Sequence, residues 1–214
     1  MSGKNSISVN AVFSSISAQL ALEELPWQVS AQDSPWPQAA VLVALTDELE
    51  PRVLLGRRAM HLKLHPGEIA FPGGKREPED ESPWVTALRE TEEEVGIARH
   101  LVTPVAELEP LVTRTGFQVF PCIGIVPAAP VLTVDPGEFD SVFMPTASVF
   151  ADRALFRLEK MTKQGTTMYV PHYHVEDEGH NDNVWGVTAA ILAQLANVAY
   201  DAGFDLQRNW DQAP

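Results

Sequence analysis

The stretch Gly73–Ile97 reads GGKREPEDESPWVTALRETEEEVGI and combines a pair of glycines, a highly charged loop and a helical pattern. Ser82 is a suitable N-cap, Pro83 suits the first helical position, and Gly96 is typical of a residue that ends a helix. These signals predict a helix over Ser82–Val95. One stripe at helical spacing is formed by Trp84, Leu88, Thr91 and Val95.

Three glutamates share one face of this predicted helix. Glu90 lies three residues before Glu93 and four before Glu94, a spacing that brings carboxylates together. Like charges at this spacing repel each other, so the arrangement is unfavourable unless a cation lies between them. Hard cations such as Mg²⁺ prefer carboxylate oxygens, and Gly74 allows the backbone to approach closely and offer a carbonyl oxygen. The pattern favours a metal site over a solvated acidic face, which is the usual fate of a charge run.

Basic residues are concentrated around the same stretch. Seven of the 15 Lys and Arg residues fall within 38 positions, namely Arg52, Arg57, Arg58, Lys63, Lys75, Arg76 and Arg89. Such residues bind phosphate through charge-assisted hydrogen bonds, or they simply balance the neighbouring glutamates. Arg89 lies four residues before Glu93 and can tether that carboxylate, the alternative being an ordinary surface ion pair.

The composition excludes several classes of protein. The chain has 214 residues, 45% of them hydrophobic, and a formal net charge of −14, which argues against general binding to nucleic acid or to an anionic membrane. Its longest apolar run, Ala39–Leu45, is far shorter than the roughly 20 residues of a membrane-spanning helix. With Cys122 as the single cysteine, the chain can form neither an internal disulfide nor a cysteine-built zinc site, and we expect a cytoplasmic protein.

The rest of the pattern predicts strands on both sides of the central helix. The predicted strands are Ala39–Leu45, Arg52–Leu55, Glu68–Phe71, Val102–Val112, Phe117–Pro127, Met168–Val170 and His172–Val175. Glu138–Phe143 and Ser148–Leu158 fit either a helix or a strand. We expect Pro72 and the glycines after it to end the third strand, and Pro171 to interrupt the last one.

Two more helical segments complete this organisation. Residues 1–35 are helix-prone until prolines break the pattern, and Val184–Tyr200 reads as a long final helix. Strands around a central helix, followed by another helix, indicate a mixed α/β sandwich. We expect a single domain, with residues 1–38 as an N-terminal extension, 39–195 as the core and 196–214 as a C-terminal tail.

The helix motif resembles the signature of the Nudix hydrolases. The second half of that signature is matched in register by Arg89, Glu90, Glu93, Glu94, Gly96 and Ile97. Thr91 replaces an aliphatic residue, and the segment from Gly74 to Arg89 is one residue longer than the general signature, so the first acidic position falls on Asp80 or Glu81. The resemblance covers Ala39–Leu195 and implies a Nudix-type α/β/α sandwich with a mixed β-sheet, acting with Mg²⁺ or Mn²⁺.

An upstream motif is similar to that of the coenzyme A pyrophosphatase subfamily. Its matching positions are Leu54, Leu55, Arg58, Lys63, Gly67, Ile69 and Phe71–Gly74. Gly56, Ala59 and Lys63 stand where threonine, serine and arginine are usual. Further matches are the turn Arg114–Phe117, Glu138 ahead of Val142–Pro145, and Trp185–Ala189.

The subfamily resemblance implies cleavage of the diphosphate of coenzyme A or its derivatives into 3′,5′-ADP and 4′-phosphopantetheine or its acyl form. Glu90 and Glu94 are the best metal ligands, with Gly74 offering a carbonyl. Glu93 is either a further ligand or, with Arg89, part of the network that activates water, and Glu138 is the other candidate base. The candidate substrate-binding residues are Arg57, Arg58, Lys63, Lys75 and Arg114.

The sequence is compatible with other functions. The same fold could act on another nucleoside diphosphate compound, such as ADP-ribose, NADH or a nucleoside triphosphate. A catalytically silent nucleotide-binding sensor would be expected to lose a helix glutamate, and an acidic scaffold would show no metal dependence. The expected partner is a small-molecule nucleotide, and a homodimer would give the segments outside the resemblance a role as an interface.

Overall fold

The computed structural model describes residues 10–20, 22, 27, 34–113, 116–163, 165–177 and 180–206. The helices are α1 (Ala11–Gln19), α2 (Pro83–Val95) and α3 (Gly186–Tyr200). The strands are β1 (Gln38–Thr46), β2 (Leu55–Arg58), β3 (Ile69–Ala70), β4 (Gly73–Lys75), β5 (Thr103–Glu107), β6 (Leu111–Val112), β7 (Gln118–Val126), β8 (Phe139–Phe143), β9 (Phe156–Lys163), β10 (Thr166–Asp177) and β11 (His180–Trp185). Short 3₁₀ helices span Arg99–Leu101 and Ala147–Ala151.

The strands form three sheets. The central sheet has the order β4-β1-β7-β5, with β6 beside β7, and the two smaller sheets have the orders β3-β2-β8 and β11-β10-β9. Strands β1 and β7 run parallel over their whole length, whereas the other pairs in the central sheet are antiparallel. The prediction of an α/β protein with a mixed sheet is therefore confirmed.

Strand β1 is apolar on both faces because helices cover both sides of the central sheet. Ala40, Leu42 and Ala44 pack with buried residues of α2. Val43 and Leu45, which point the other way, join a second core with buried residues of α1 and α3. No helix of the described segments is long and apolar enough to cross a membrane.

Helix α2 forms and ends as its sequence predicts. The Ser82 side chain accepts a hydrogen bond from the backbone N–H of Val85, and Pro83 occupies the first helical position. Gly96 ends the helix with φ of 77°, a backbone conformation that favours glycine. Thr91, which replaces the aliphatic residue of the family signature, is buried and donates its hydroxyl to the Ala87 carbonyl at 2.7 Å.

Several predicted strand boundaries are wrong. The stretch Val102–Val112 divides into β5 and β6. The third strand ends before Pro72, as predicted, but Gly73 and Gly74 then form a further edge strand, β4, beside β1. Pro171 does not interrupt β10. Strand β11 pairs only with His172–Asp177, so Pro171 has a neighbouring strand on one side, β9, and none on the other. A proline at such an edge position is tolerated although it has no N–H to donate.

Other differences arise where local signals compete with tertiary pairing. The strand predicted at Arg52–Leu55 is found further along the chain, because β2 begins at Leu55. Arg52 and Val53 form only isolated bridges. The final helix begins at Gly186, since the two residues before it complete β11. Of the two ambiguous segments, the first is β8, and the second divides between a 3₁₀ helix and β9.

The N-terminal helix packs against the final helix. Phe13 and Ile16 of α1 are buried, and the Ser15 hydroxyl donates to the backbone carbonyl of Val198 on α3 at 3.0 Å. The helix-prone prediction for residues 1–35 thus holds for α1. The rest of that prediction falls mostly outside the described residues.

Candidate active site

Among the glutamates of the motif, Glu94 is the best buried, with only 4% of the residue exposed. Its Oε2 accepts a hydrogen bond of 2.9 Å from the backbone N–H of Gly73. Burial raises the pKa of Glu94 to about 8; the charges of Glu90 and Glu138 add to the rise, while Gly73 and Arg58 oppose it. A carboxylate held in such surroundings is stabilised by a nearby cation.

Gly74 brings the backbone of β4 directly against Glu90. A Cβ added to Gly74 would lie 2.2 Å from Oε1 of Glu90, so only glycine fits here without moving the carboxylate. Burial raises the pKa of Glu90; Arg89 opposes this effect, and the charges of Glu93 and Glu77 strengthen it. Two neighbouring carboxylates with raised pKa values therefore lie beside the pair of glycines.

Arg89 connects the charged loop to the helix. Its guanidinium contacts Asp80 at 3.0 Å, Glu90 at 3.0 Å and Glu93 at 3.3 Å. It also donates to the backbone carbonyl of Lys75 at 3.2 Å. The hydrogen bond to Asp80 is the main reason that the pKa of Arg89 is raised further above its ordinary value. Arg89 thus fixes the loop, and it restrains Glu90 and Glu93, two of the three glutamates on the shared helix face.

Asp80 organises the charged loop from inside the protein. Its carboxylate accepts hydrogen bonds from the Glu77 backbone N–H at 2.9 Å, the Thr86 hydroxyl at 2.8 Å and Arg89. Burial alone would raise the pKa of Asp80, but these hydrogen bonds hold it below its ordinary value. Glu81, the alternative at the first acidic position, is exposed. Asp80 is therefore the acidic residue that is built into the loop.

A second wall of the site comes from the segment that precedes β8. Glu138 lies next to Arg58 of β2, with 3.4 Å between Oε2 and Nη2. The charge of Glu138 contributes to the raised pKa of Glu94, and the charge of Arg58 lowers it. Both residues therefore lie within electrostatic range of the buried carboxylate, although they are distant from it in sequence.

Arg57, the other basic residue of this strand, is held by a partner that sequence reasoning missed. Its guanidinium forms an ion pair with Asp182 of β11, whose side chain is almost fully buried. In the sequence, Asp182 stands between two asparagines, and no periodic pattern marks it as the ion-pair partner of Arg57. The ion pair links the β9–β11 sheet to the strand that carries Arg58.

The other predicted substrate-binding residues lie in different surroundings. Lys63 is exposed on the loop between β2 and β3. The Nζ atom of Lys75 lies 5.3 Å from the ring centroid of Phe117. Arg114 lies outside the described residues, so its placement relative to the carboxylates stays a prediction.

These side chains suit a divalent cation that keeps part of its water shell better than a cation coordinated by protein ligands alone. Within the part of the chain that the structure describes, no three His, Cys, Asp or Glu side chains are gathered as a ready metal site. Mg²⁺ usually keeps several waters and takes one or two carboxylates together with substrate phosphates. Glu90 and Glu94, with the backbone of Gly74 against Glu90, match that requirement, and a cation would offset the cost of burying them.

Comparisons with known proteins identify sequence relatives of this chain. The NUDIX domain model matches residues 36–164. NudL of Yersinia pestis (strain Pestoides F), an uncharacterized Nudix hydrolase, is 36% identical over 161 residues, which are 74% of this chain and 78% of NudL. NudL of Yersinia pseudotuberculosis serotype O:1b (strain IP 31758) gives the same values. A MutT/nudix family protein from Enterococcus faecalis has a TM-score of 0.49 and 20% identity, covering 84% of this chain and 66% of its own.

The chain belongs to the Nudix hydrolase family. It is accordingly a hydrolase of phosphoric anhydride bonds, and enzymes of this family generally use divalent cations such as Mg²⁺ or Mn²⁺.

Proposed function

We propose that this enzyme hydrolyses the diphosphate of coenzyme A or a derivative with the help of Mg²⁺ or Mn²⁺. The products would be 3′,5′-ADP and 4′-phosphopantetheine or its acyl form. The observation that supports this substrate is the position of the upstream motif. Its strand β2 places Arg58 beside Glu138, and its final glycines place β4 beside Glu90 and Glu94.

Glu90 and Glu94 are the residues that would hold the cation, with a carbonyl of the Gly74 region as a further donor. When bound, a divalent cation offsets charge on the phosphoryl oxygens and lowers the pKa of a water molecule. Arg89 orients Glu90 and Glu93 through its contacts of 3.0 and 3.3 Å. Glu93 or Glu138 would take the proton of the attacking water.

Basic side chains would position the phosphates of the substrate. Coenzyme A carries a diphosphate and a 3′-phosphate, so it offers several anionic groups to a cluster of cations. Arg58 lies beside Glu138, and Arg57 is fixed by Asp182, while Lys63 and Lys75 are exposed. Bidentate contacts from arginine suit phosphate geometry, and lysine adds a point charge.

The experiment that tests this proposal compares substrates under one set of conditions. The values of kcat/KM are measured with Mn²⁺ for coenzyme A, ADP-ribose, NADH and ATP, and the products are identified by mass spectrometry. We expect the highest value for coenzyme A, with 3′,5′-ADP among the products. A higher value for ADP-ribose, NADH or ATP would assign the same carboxylates to another nucleoside diphosphate compound.

The proposal also includes a cellular setting and an assembly. A single, fully buried cysteine agrees with a cytoplasmic enzyme that needs no disulfide. Within the described residues, α1 packs beside the final helix, and we propose this pair of helices as the homodimer interface. Light scattering on the full chain measures the assembly directly, and a monomer mass would remove the homodimer from the proposal.

A further inference from the structure

The segment 133–138, which precedes β8, covers the C-terminal end of α2. The backbone N–H of Thr133 donates to the Val95 carbonyl at 2.9 Å, and the backbone N–H of Asp135 donates to the Glu94 carbonyl at 2.8 Å. The last carbonyls of a helix have no partner within the helix, so they need donors of this kind from outside it. Segment 133–138 is therefore attached to the backbone of a residue whose carboxylate is proposed to hold the cation.

The same segment makes a tight turn from Asp135 to Glu138. The Asp135 carbonyl accepts the backbone N–H groups of Glu138 and Phe139, both at 3.0 Å. The Oδ1 atom of Asp135 accepts the backbone N–H of Gly137 at 2.8 Å. Aspartate followed by a proline, here Pro136, is a typical start of a turn, because the aspartate side chain binds the backbone two residues further on. The Asp135 side chain therefore closes the turn that ends at Glu138.

Glu138 is also held by the neighbouring strand β2 and the residue after it. The Glu138 carbonyl accepts the N–H of Ala59 at 2.9 Å, and Oε2 lies 3.4 Å from Nη2 of Arg58. The charge of Glu138 contributes to the raised pKa of Glu94, so the two carboxylates lie within electrostatic range of each other. Asp135 bonds to the backbone of both glutamates, to Glu94 through its N–H and to Glu138 through its carbonyl.

We infer that Asp135 is a positioning residue of the active site, which fixes Glu138 relative to Glu94 through the turn that its side chain closes. Proton transfer from the attacking water requires a base at hydrogen-bond distance, and small displacements of such a group reduce the rate strongly. Loss of the Asp135 side chain should therefore lower kcat and leave KM nearly unchanged. This inference rests on the role proposed for Glu138 as a base, and it does not depend on which nucleotide compound is the substrate.

The test uses variants that separate the side-chain contact from the rest of the turn. Asp135→Ala removes the acceptor of the Gly137 N–H, whereas Asp135→Asn retains an oxygen at the same position. Asp152→Ala is the matched control, because Oδ1 of Asp152 accepts the Ala154 N–H at the same distance of 2.8 Å in the turn that precedes β9. Steady-state kinetics are measured with coenzyme A, ADP-ribose, NADH and ATP, and unfolding midpoints are measured with and without Mn²⁺.

We expect Asp135→Ala to lower kcat about tenfold on each compound that the wild type hydrolyses, with KM changed by less than about threefold. Asp135→Asn should retain most of the wild-type kcat, and Asp152→Ala should match the wild type. In a double-mutant cycle, Asp135→Ala should cause little further loss in Glu138→Gln, because both changes remove the same contribution. The rise of the unfolding midpoint with Mn²⁺ should persist in Asp135→Ala, since Glu90 and Glu94 stay in place.

The inference is overturned if Asp135→Ala lowers kcat no more than Asp152→Ala, if its loss adds in full to that of Glu138→Gln, or if Asp135→Asn is as slow as Asp135→Ala. Loss of the Mn²⁺ effect in Asp135→Ala would also contradict it, because the residue would then act on the cation site. A preference for ADP-ribose, NADH or ATP rejects coenzyme A, and the effect of Asp135 is then measured on the preferred compound, so the two proposals fail separately.

Discussion

The Cα of Gly74 lies so close to Glu90 that an added Cβ would be 2.2 Å from the carboxylate oxygen Oε1. Gly74 is therefore a steric requirement of the carboxylate site, whereas Gly73 is required by the close approach of β1, since a Cβ there would meet the Ala40 carbonyl and Val41. Strand β4 continues into Lys75, whose carbonyl is held by Arg89. The proposed cation-binding residues and the proposed substrate-binding residue Lys75 are thus connected through the three consecutive backbone positions 73–75.

We predict that Gly74→Ala leaves the fold intact but lowers kcat/KM about 100-fold, because Glu90 must swing away from the new methyl group and positioning errors of this size are costly. Steady-state kinetics and thermal unfolding of the same samples check this. Activity within a few-fold of wild type, in a folded protein, would contradict the steric account.

Glu94 provides a test of cation binding that does not depend on turnover. A cation bound only by the native state raises stability, so Mn²⁺ should raise the unfolding midpoint of the wild type. We expect this rise to disappear in Glu94→Gln. Glu92→Gln is the matched control, since Glu92 lies on the same helix but pairs with Arg99 at 2.8 Å. Equal Mn²⁺ effects in the two variants would remove Glu94 from the site.

Asp80 and Glu81 are adjacent carboxylates with opposite surroundings. Removing the charge of Asp80 leaves the partly buried Arg89 without its strongest partner, so Asp80→Asn should lower the free energy of unfolding by about 3 kcal/mol at neutral pH. Glu81→Gln, at an exposed position, should change it by no more than about 0.5 kcal/mol. Denaturant unfolding of both variants measures the difference, and equal effects would refute the role assigned to Asp80.

The pH dependence of this effect follows from the lowered pKa of Asp80. A carboxyl group with a lower pKa in the folded state stabilises the protein above its ordinary pKa of 3.8, and this stabilisation is lost as the pH falls through the folded value. The difference between wild type and Asp80→Asn should therefore shrink steadily as the pH falls below that ordinary value. A difference that stays constant down to the acid limit would contradict the ionised hydrogen-bonded state of Asp80.

The ion pair between Arg57 and Asp182 joins two sheets and can be measured by a double-mutant cycle. We expect Arg57→Ala, Asp182→Ala and the double variant to give a coupling energy of about 1–3 kcal/mol in unfolding, because the buried Asp182 carboxylate loses its charged partner. Chemical denaturation of the four proteins supplies the values. Additive single effects would show that the pair does not stabilise the junction.

Features of the fold that depend on neighbouring residues in the chain are predicted well from the sequence. The Ser82 cap, the Gly96 end and the common face of Glu90 and Glu94 depend on residues close together in the chain, and the structure has the first two as predicted. The partnership of Arg57 with Asp182, 125 residues away, depends on how two sheets pack and leaves no local pattern.

Gly56 shows the same limit in another way. The subfamily motif usually has threonine at this position, and the sequence offers no reason for the change. In the fold, the Phe139 ring occupies the space, with Cδ1 2.4 Å from where a Cβ would lie. Packing between β2 and β8 therefore explains why glycine replaces threonine here, and this packing cannot be read from the sequence.

The central claim is that Glu94 helps a divalent cation promote hydrolysis of a coenzyme A diphosphate. The most direct measurement is product formation from coenzyme A by wild type, Glu94→Gln and Glu92→Gln at equal Mg²⁺ concentrations. The account predicts 3′,5′-ADP and 4′-phosphopantetheine from the wild type and from Glu92→Gln, and a loss of at least about 100-fold in Glu94→Gln. Full Mg²⁺-dependent turnover by Glu94→Gln would contradict it.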